Sequence, residues 1–462
     1  MKIFKNMRFS FLKRENDNAS DKPASLFKLV WPIFIEMTLT MLVGNVDQYM
    51  VTRYSENAVG AIGNANQIIN LLMIMFNLIS MSTIILVAQY IGSNNKHKLS
   101  TIYTLSLCVN LVFSFIIMFI IICFSGTIFR FMKVPQDIYT DAHTYILWIG
   151  GFIFLQAIIS VFSAIFRANR MMKETMLISV FINLVNVLGN ALLINGAGFL
   201  PALGVAGAAI ATNVSRLVGI LLYCYLFHKH FDTRISLKAL SPFPRMELKK
   251  LLGIGIPSGG ESFSYSIAMT LILKVVNTFG TFVINTKVLA STFSWFSYMY
   301  SSAVGQASQV VIGNYMGAGK VDQVDRRVKK TLRNAIIVSL VISTTMFIFS
   351  DLLFGLFSKD PRVLALGKKI MFIEILLELG KCTNITLVRS LQATGDIKFP
   401  MIIGMVFMWA VAFGFGYVLA VVCNLGLVGI WIGMALDEDI RAIIFLIRWK
   451  KGKWRNIRLA GD

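Results

Sequence analysis

The chain has 462 residues, 56% of them hydrophobic and only 15% charged, with a mean hydropathy of +0.70. A soluble protein of this size carries charge on about a quarter of its residues, so the composition excludes a water-soluble domain and points to an all-α polytopic membrane protein. The net charge of +21 does not indicate nucleic acid, because no nucleic-acid-binding module is legible and the basic residues fall in short loops between apolar runs, as the positive-inside rule describes.

Residues 1–25 are basic and polar and lack an apolar core with a cleavage site, so they read as a cytoplasmic tail and not as a removed signal peptide. The first apolar run, WPIFIEMTLTMLVGNVDQYMV from Trp31 to Val51, is long enough to cross a bilayer and yet carries Glu36 and Asp47. A carboxylate near the centre of a membrane helix costs ~2.5–3.5 kcal/mol on insertion scales and is usually functional. The two lie 11 positions apart, close to three helical turns, so they share one face. Asp47 is the stronger candidate; for Glu36 an interfacial position satisfying a neighbour stands beside the functional reading.

Twelve apolar runs of spanning length follow one another, at about 28–51, 59–91, 98–124, 138–166, 174–196, 203–228, 250–279, 285–317, 329–356, 363–391, 399–423 and 427–449. The internal prolines Pro32 and Pro257 are tolerable breaks, since neighbouring helices re-satisfy freed backbone groups. The tails and even-numbered loops hold 31 Lys and Arg against 8 in the odd-numbered loops, which places both termini in the cytoplasm and the chain in the plasma membrane. Arg216, Lys274, Lys381, Arg389 and Arg441 fall within spans.

The sequence repeats. Pro32 and Pro257, Glu36 and Glu261, Tyr90 and Tyr315, Gly92 and Gly317, Ala168 and Ala393, and Met176 and Met401 are each separated by 225 positions, and LGVAG at 203–207 matches LGLVG at 425–429. Six spans per half make the repeat parallel, with its axis along the membrane normal. The expected organisation is a tail (1–25), an N-terminal six-helix lobe (26–228), a basic cytoplasmic linker (229–247), a C-terminal six-helix lobe (248–450) and a cytoplasmic tail (451–462). Two such bundles facing one another enclose a cavity suited to alternating access.

The five cysteines lie in apolar runs without CxxC spacing, and the four histidines are scattered in or near loops, so neither a disulfide framework nor a metal site is expected. The nearest approach to a Walker A motif, NYMGAGKV from Asn314 to Val321, lacks the first glycine and the final Ser/Thr, and reads as a helix-ending turn. Without an ATPase module or other cofactor, transport would be driven by an ion gradient. Asn183, Asn186 and Asn190 recur at i, i+3 and i+7 on one face of the fifth span, and Thr212 and Asn213 sit in the sixth. Asp47 with amide and hydroxyl oxygens would suit a hard monovalent cation; the same carboxylate, desolvated, could instead carry a proton. Asn183 is read as interhelical glue. In the second half, Glu374, Glu378 and Lys381 lie at i, i+4 and i+7, with Glu378 and Lys381 able to form a neutral pair, and Asp437 and Arg441 are spaced for an ion pair.

Twelve spans in two repeated halves, NVDQYMV in the first helix, AQYIG ending the second, LGVAGAAIAT opening the sixth and LQATGDIKFPM before the eleventh resemble the multidrug and toxic compound extrusion (MATE) family, of the multidrug/oligosaccharidyl-lipid/polysaccharide flippase superfamily. The likeness runs from about residue 26 to 455. It implies a V-shaped transporter of two six-helix lobes that exports organic, often cationic, compounds in exchange for sodium or protons, working as a monomer on small organic substrates. The family's coupling carboxylate falls on Asp47, and its partners on Asn186, Asn190 and Thr212; some members carry an aspartate where this chain has Asn190. Acidic residues used in the C-terminal lobe of some members fall on Glu261 and Glu378, with Lys381 placed to occupy the cation's position. The closing stretch GIWIGMALDEDIRAIIFLIRWKKGKW resembles a branch for which flavin nucleotides are considered as cargo. The rival readings are a flippase for a lipid-linked precursor, which would want a more cationic cavity and a lateral opening, and an intramembrane enzyme or receptor, against which stands the lack of HExxH, GxSxG or paired His/Asp motifs.

Overall fold

A computed structural model describes residues 26–132, 134–196, 201–457 and 459. The predicted tail 1–25, and residues 460–462 of the other, lie outside the described residues. No strand occurs among the described residues, and the chain is a succession of long helices.

The first half comprises α1 (Leu26–Tyr54), α2 (Glu56–Gly92), α3 (Lys96–Phe131), α4 (Gln136–Gly151), α5 (Ile153–Ala168), α6 (Met172–Leu193) and α7 (Gly204–His230). The fourth predicted span is thus two helices, meeting at Phe152 with a bend of 49°. The second half comprises α8 (Arg245–Val276), α9 (Thr281–Gly317), α10 (Val321–Ile348), the short α11 (Ser350–Gly355), α12 (Pro361–Thr394), α13 (Lys398–Phe407), which continues as π-helical turns to Val422, and α14 (Gly426–Lys450). Among the described residues, eight helices are individually long and apolar enough to span a bilayer and the bent α4/α5 pair supplies a ninth. α9, α12 and α14 complete the twelve; they carry many polar side chains that are buried inside the protein, among them Ser297, Glu378 and Asp437. Exposed Phe115, Ile116, Phe119 and Ile122 on α3 suit hydrocarbon instead of water.

Each lobe has its own apolar core. Ile121, Phe129 and Ile146 centre one part of the N-terminal lobe, and Ile272, Phe354 and Trp431 centre part of the C-terminal one. The segment after α7 docks on α3, where Ser100 Oγ donates to Arg234 O at 2.7 Å and Thr104 Oγ1 accepts from Ser236 N at 3.0 Å. The supposed nucleotide loop is the turn between α9 and α10, closed by Lys320 N donating to Tyr315 O at 2.9 Å, with Gly319 at φ +71°.

The lobes meet where the sequence repeat predicts the pseudo-two-fold axis to pass. Asn314 Nδ2 on α9 donates to Ala88 O at 2.9 Å, and Gln89 Nε2 on α2, 225 positions earlier, donates to Ala393 O at 2.8 Å. A β-carbon on Gly92 would overlap the Asn314 carbonyl oxygen, and one on Gly317 the Gln89 carbonyl oxygen. Only glycine at these equivalent positions lets two backbones approach so closely. Leu29, Val30 and Ile33 of α1 seal the same end against Ala303, Val304 and Ala307 of α9. Gly317→Ala is expected to destabilise this closed contact by ~1–3 kcal/mol. Thermal unfolding in detergent should show a lowered midpoint, while Gly253→Ala, whose new methyl would meet open space, should not lower it.

Candidate ion and substrate site in the central cavity

Beyond the sealed end the lobes part around a central cavity of about 800 Å³, within the size range of drug-binding pockets. Residues of both lobes line it: Glu36 and Asp47 of α1, Arg167 of α5, Arg216 of α7, Gln306 of α9 and Arg389 of α12. The face shared by Glu36 and Asp47 is therefore the cavity face.

Asp47 is held by the asparagine face of α6. Asn190 Nδ2 donates to Asp47 Oδ1 at 2.9 Å. Turned so that both ends of its amide are satisfied, Asn186 donates Nδ2 to Asp47 Oδ2 at 3.0 Å and faces Thr212 Oγ1 with Oδ1 at 3.2 Å. Three helices thus meet in one cluster: α1 supplies the carboxylate, α6 the two amides that reach it and α7 the hydroxyl that faces Asn186. Asn190 Oδ1 remains buried without a partner, so an unused oxygen acceptor lies in the same cluster. Asn183, read as glue, lines the cavity instead, with a buried Nδ2 that no group accepts from. The i, i+3, i+7 face is real, but its first residue does not bind the other helices.

Glu36 makes a different arrangement. Its Oε1 accepts from Arg167 Nη2 at 2.9 Å, and Arg167 Nη1 donates to Gln306 Oε1 at 2.5 Å, so a charge-balanced relay joins α1 and α5 to α9 of the other lobe. Sequence reasoning assigned Arg167 to a basic loop; the last turn of α5 in fact turns it inward. The signal available was the unpaired Glu36, which required a cation somewhere in the membrane.

In the C-terminal lobe the predicted carboxylates lie apart from the cavity. Glu378 is fully buried, accepts from Ser297 Oγ at 2.6 Å and Ser339 Oγ at 3.2 Å, and is ion-paired with Lys381. Lys381 Nζ also reaches Glu374 Oε1 at 3.2 Å, and Glu374 Oε2 accepts from Trp431 Nε1 at 2.7 Å. This cluster ties α9, α10, α12 and α14 together, with the ammonium filling the space between the two carboxylates. Glu261 does not join it: no hydrogen bond or ion pair links Glu261 to Glu378 among the described residues, and Glu261 packs beside Gly404 of α13. Arg441 pairs with Asp437 at 2.5 Å and with Glu438 at 2.9 Å, and Glu438 in turn accepts from Asn384 Nδ2 at 2.6 Å. Removing the cation from such a cluster leaves uncompensated buried charge. Lys381→Met is expected to destabilise the fold by ~3–5 kcal/mol, read as a lowered thermal midpoint, and adding Glu378→Gln should recover part of the loss.

The MatE family model matches the chain twice, over residues 32–192 and 257–418, one match in each lobe. The uncharacterized transporter YisQ of Bacillus subtilis (strain 168) is 34% identical over 435 residues, covering 94% of this chain and 96% of that protein. A probable multidrug resistance protein NorM of Thermotoga maritima is 25% identical over 451 residues, 97% of each chain. Among solved structures, a MOP superfamily transporter from Pyrococcus furiosus, whose reversed pocket polarity is taken to suggest a different function, superposes with a TM-score of 0.84 at 22% identity, covering 94% of this chain and 96% of that one. The outward-facing conformation of a multidrug resistance MATE family transporter superposes with a TM-score of 0.84 at 21% identity, with the same coverage. The twofold family match, falling on the two repeated halves that meet at Gly92 and Gly317, shows that this chain is a multi-pass membrane transporter of the MATE family.

Proposed function

We propose that the protein is a cation-coupled antiporter that exports amphipathic organic compounds, drugs among them, from the cytoplasm by alternating access. The observation that carries this reading is Asp47 in the wall of the inter-lobe cavity, held by Asn190 and Asn186 beside Thr212. An ionisable group inside a membrane, facing a cavity, marks an ion pathway. The oxygens gathered there are hard donors that suit a proton or sodium. With Lys381 already between Glu374 and Glu378, the C-terminal lobe carries its own cation, and one ion site, in the N-terminal lobe, is expected per chain.

The charge asymmetry of the loops supports cytoplasmic termini. The sealed end, formed by the start of α1 and the ends of α2 and α9, then faces the cytoplasm, and the cavity opens outward. The relative NorM of Thermotoga maritima is called a probable multidrug resistance protein, which supports drugs as cargo. The protein works as a monomer in the plasma membrane.

Efflux of a fluoroquinolone, which carries a carboxylate on an aromatic body, from cells under separately imposed sodium and proton gradients tests the coupling. Wild type is expected to export under one gradient, and Asp47→Asn, at equal membrane expression, to lose gradient-driven efflux. Unchanged export by the variant would overturn the role given to Asp47.

A further inference from the structure

Five basic residues fall within the spans, and three of them are accounted for. Lys381 and Arg441 sit among carboxylates, and Lys274 is exposed. Arg216 and Arg389 remain. Both line the central cavity, and neither makes an ion pair among the described residues. Arg216 Nη1 is buried with no hydrogen-bond partner. The one polar contact of Arg389 among the described residues is to Met81 Sδ at 3.2 Å, a weak acceptor.

The cavity's carboxylates do not neutralise them. Glu36 is paired with Arg167, and Asp47 is turned toward amides of α6. Within the cavity wall three arginines therefore face two acids, with one of those acids already used; Glu261, outside the wall, acts on Arg389 through space without an ion pair between them. Guanidinium groups are costly to desolvate without an acceptor, and their planar fork of donors matches carboxylate and phosphate oxygens. Around them the wall mixes hydroxyls and amides, Gln156, Ser160 and Ser163 among them, with the apolar side chains of Ile74, Leu78, Ile159 and Tyr145.

We infer that the central cavity is an anion receptor: its cargo is an amphipathic organic anion, a carboxylate or phosphate on an apolar ring body, with the acidic group received by Arg216 from the N-terminal lobe and Arg389 from the C-terminal lobe. The inference rests on the proposal that this cavity carries the exported compound, and it names the charge of that compound.

Two xanthene dyes of similar size and opposite charge test it: carboxyfluorescein, an anion, and rhodamine 123, a cation. Fluorescence anisotropy is read on the purified full chain in nanodiscs, with no gradient. Wild type is expected to bind carboxyfluorescein at least tenfold more tightly than rhodamine 123. Arg216→Gln and Arg389→Gln should each weaken carboxyfluorescein binding by about 10–100-fold, the loss of one charge-assisted contact, and leave rhodamine 123 binding unchanged or tighter. Arg216→Lys and Arg389→Lys, which keep the charge but not the planar fork, should bind carboxyfluorescein more tightly than the glutamine variants, separating lost recognition from a misfolded variant. Competition by dodecyl phosphate distinguishes the source: displacement of the dye points to a lipid head group as well as soluble anions, and no displacement to soluble anions alone. Tighter binding of rhodamine 123 by wild type, binding of neither dye, or equal losses for both dyes in the glutamine variants would overturn the anion site. The exporter reading fails separately: anion-selective binding with no gradient-driven efflux of either dye would sink export and leave the receptor standing.

Discussion

Inside a bilayer a charge or an open backbone group has no water to turn to, and the structure is arranged around that constraint. The backbone is satisfied by helices throughout the described spans. Polar side chains of α9, α12 and α14 face inward, where Ser297, Ser339 and Trp431 serve the carboxylates of Glu374 and Glu378. Asp47, Arg216 and Arg389, none of which makes an ion pair among the described residues, all line the central cavity.

The two halves share a framework but treat charge differently. Glu36 and Glu261 are equivalent in the repeat, yet Glu36 is paired with Arg167 in the cavity wall while Glu261 packs against α13. The N-terminal lobe presents its carboxylate Asp47 to the neutral amides of Asn186 and Asn190, with no built-in cation beside it among the described residues. The C-terminal lobe holds its acids against built-in cations, Lys381 and Arg441, an arrangement that holds the helices together. Duplication preserved the close backbone approach at Gly92 and Gly317, because any side chain there separates the lobes, and left the buried charges free to diverge.

Much of this was legible in the sequence. Twelve apolar runs, a repeat of constant offset and the acidic face of the first span define the lobes and place Glu36 and Asp47 on the cavity. The asparagine spacing on the fifth span correctly brings Asn186 and Asn190 to one face. What sequence could not give depends on bends and distant pairings. The break at Phe152 carries no proline, and Arg167 turns inward only because the helix beyond that bend is tilted. Arg216 looks like any interior arginine until the structure shows that no acid comes to meet it. Glu261 and Glu378 are candidates through the family resemblance alone, and no hydrogen bond or ion pair joins them among the described residues.

α7 carries residues of both the Asp47 cluster and the cavity wall. Thr212 and Arg216 lie at i, i+4, one turn apart on the same face of this helix; the first meets the Asp47 cluster and the second reaches the open cavity. For a cationic cargo, exclusion between ion and cargo follows from charge alone, because both compete for Asp47. For an anionic cargo the direct electrostatic effect has the opposite sign: a cation at Asp47 makes the cavity more positive and draws the anion in. Binding linkage is reciprocal, so charge by itself would make anion and cation travel together. Exchange of an anion against a cation then requires a mechanical link that outweighs the attraction. Under the proposed antiport that link would run through α7, because a rigid helix cannot turn Thr212 without also turning Arg216.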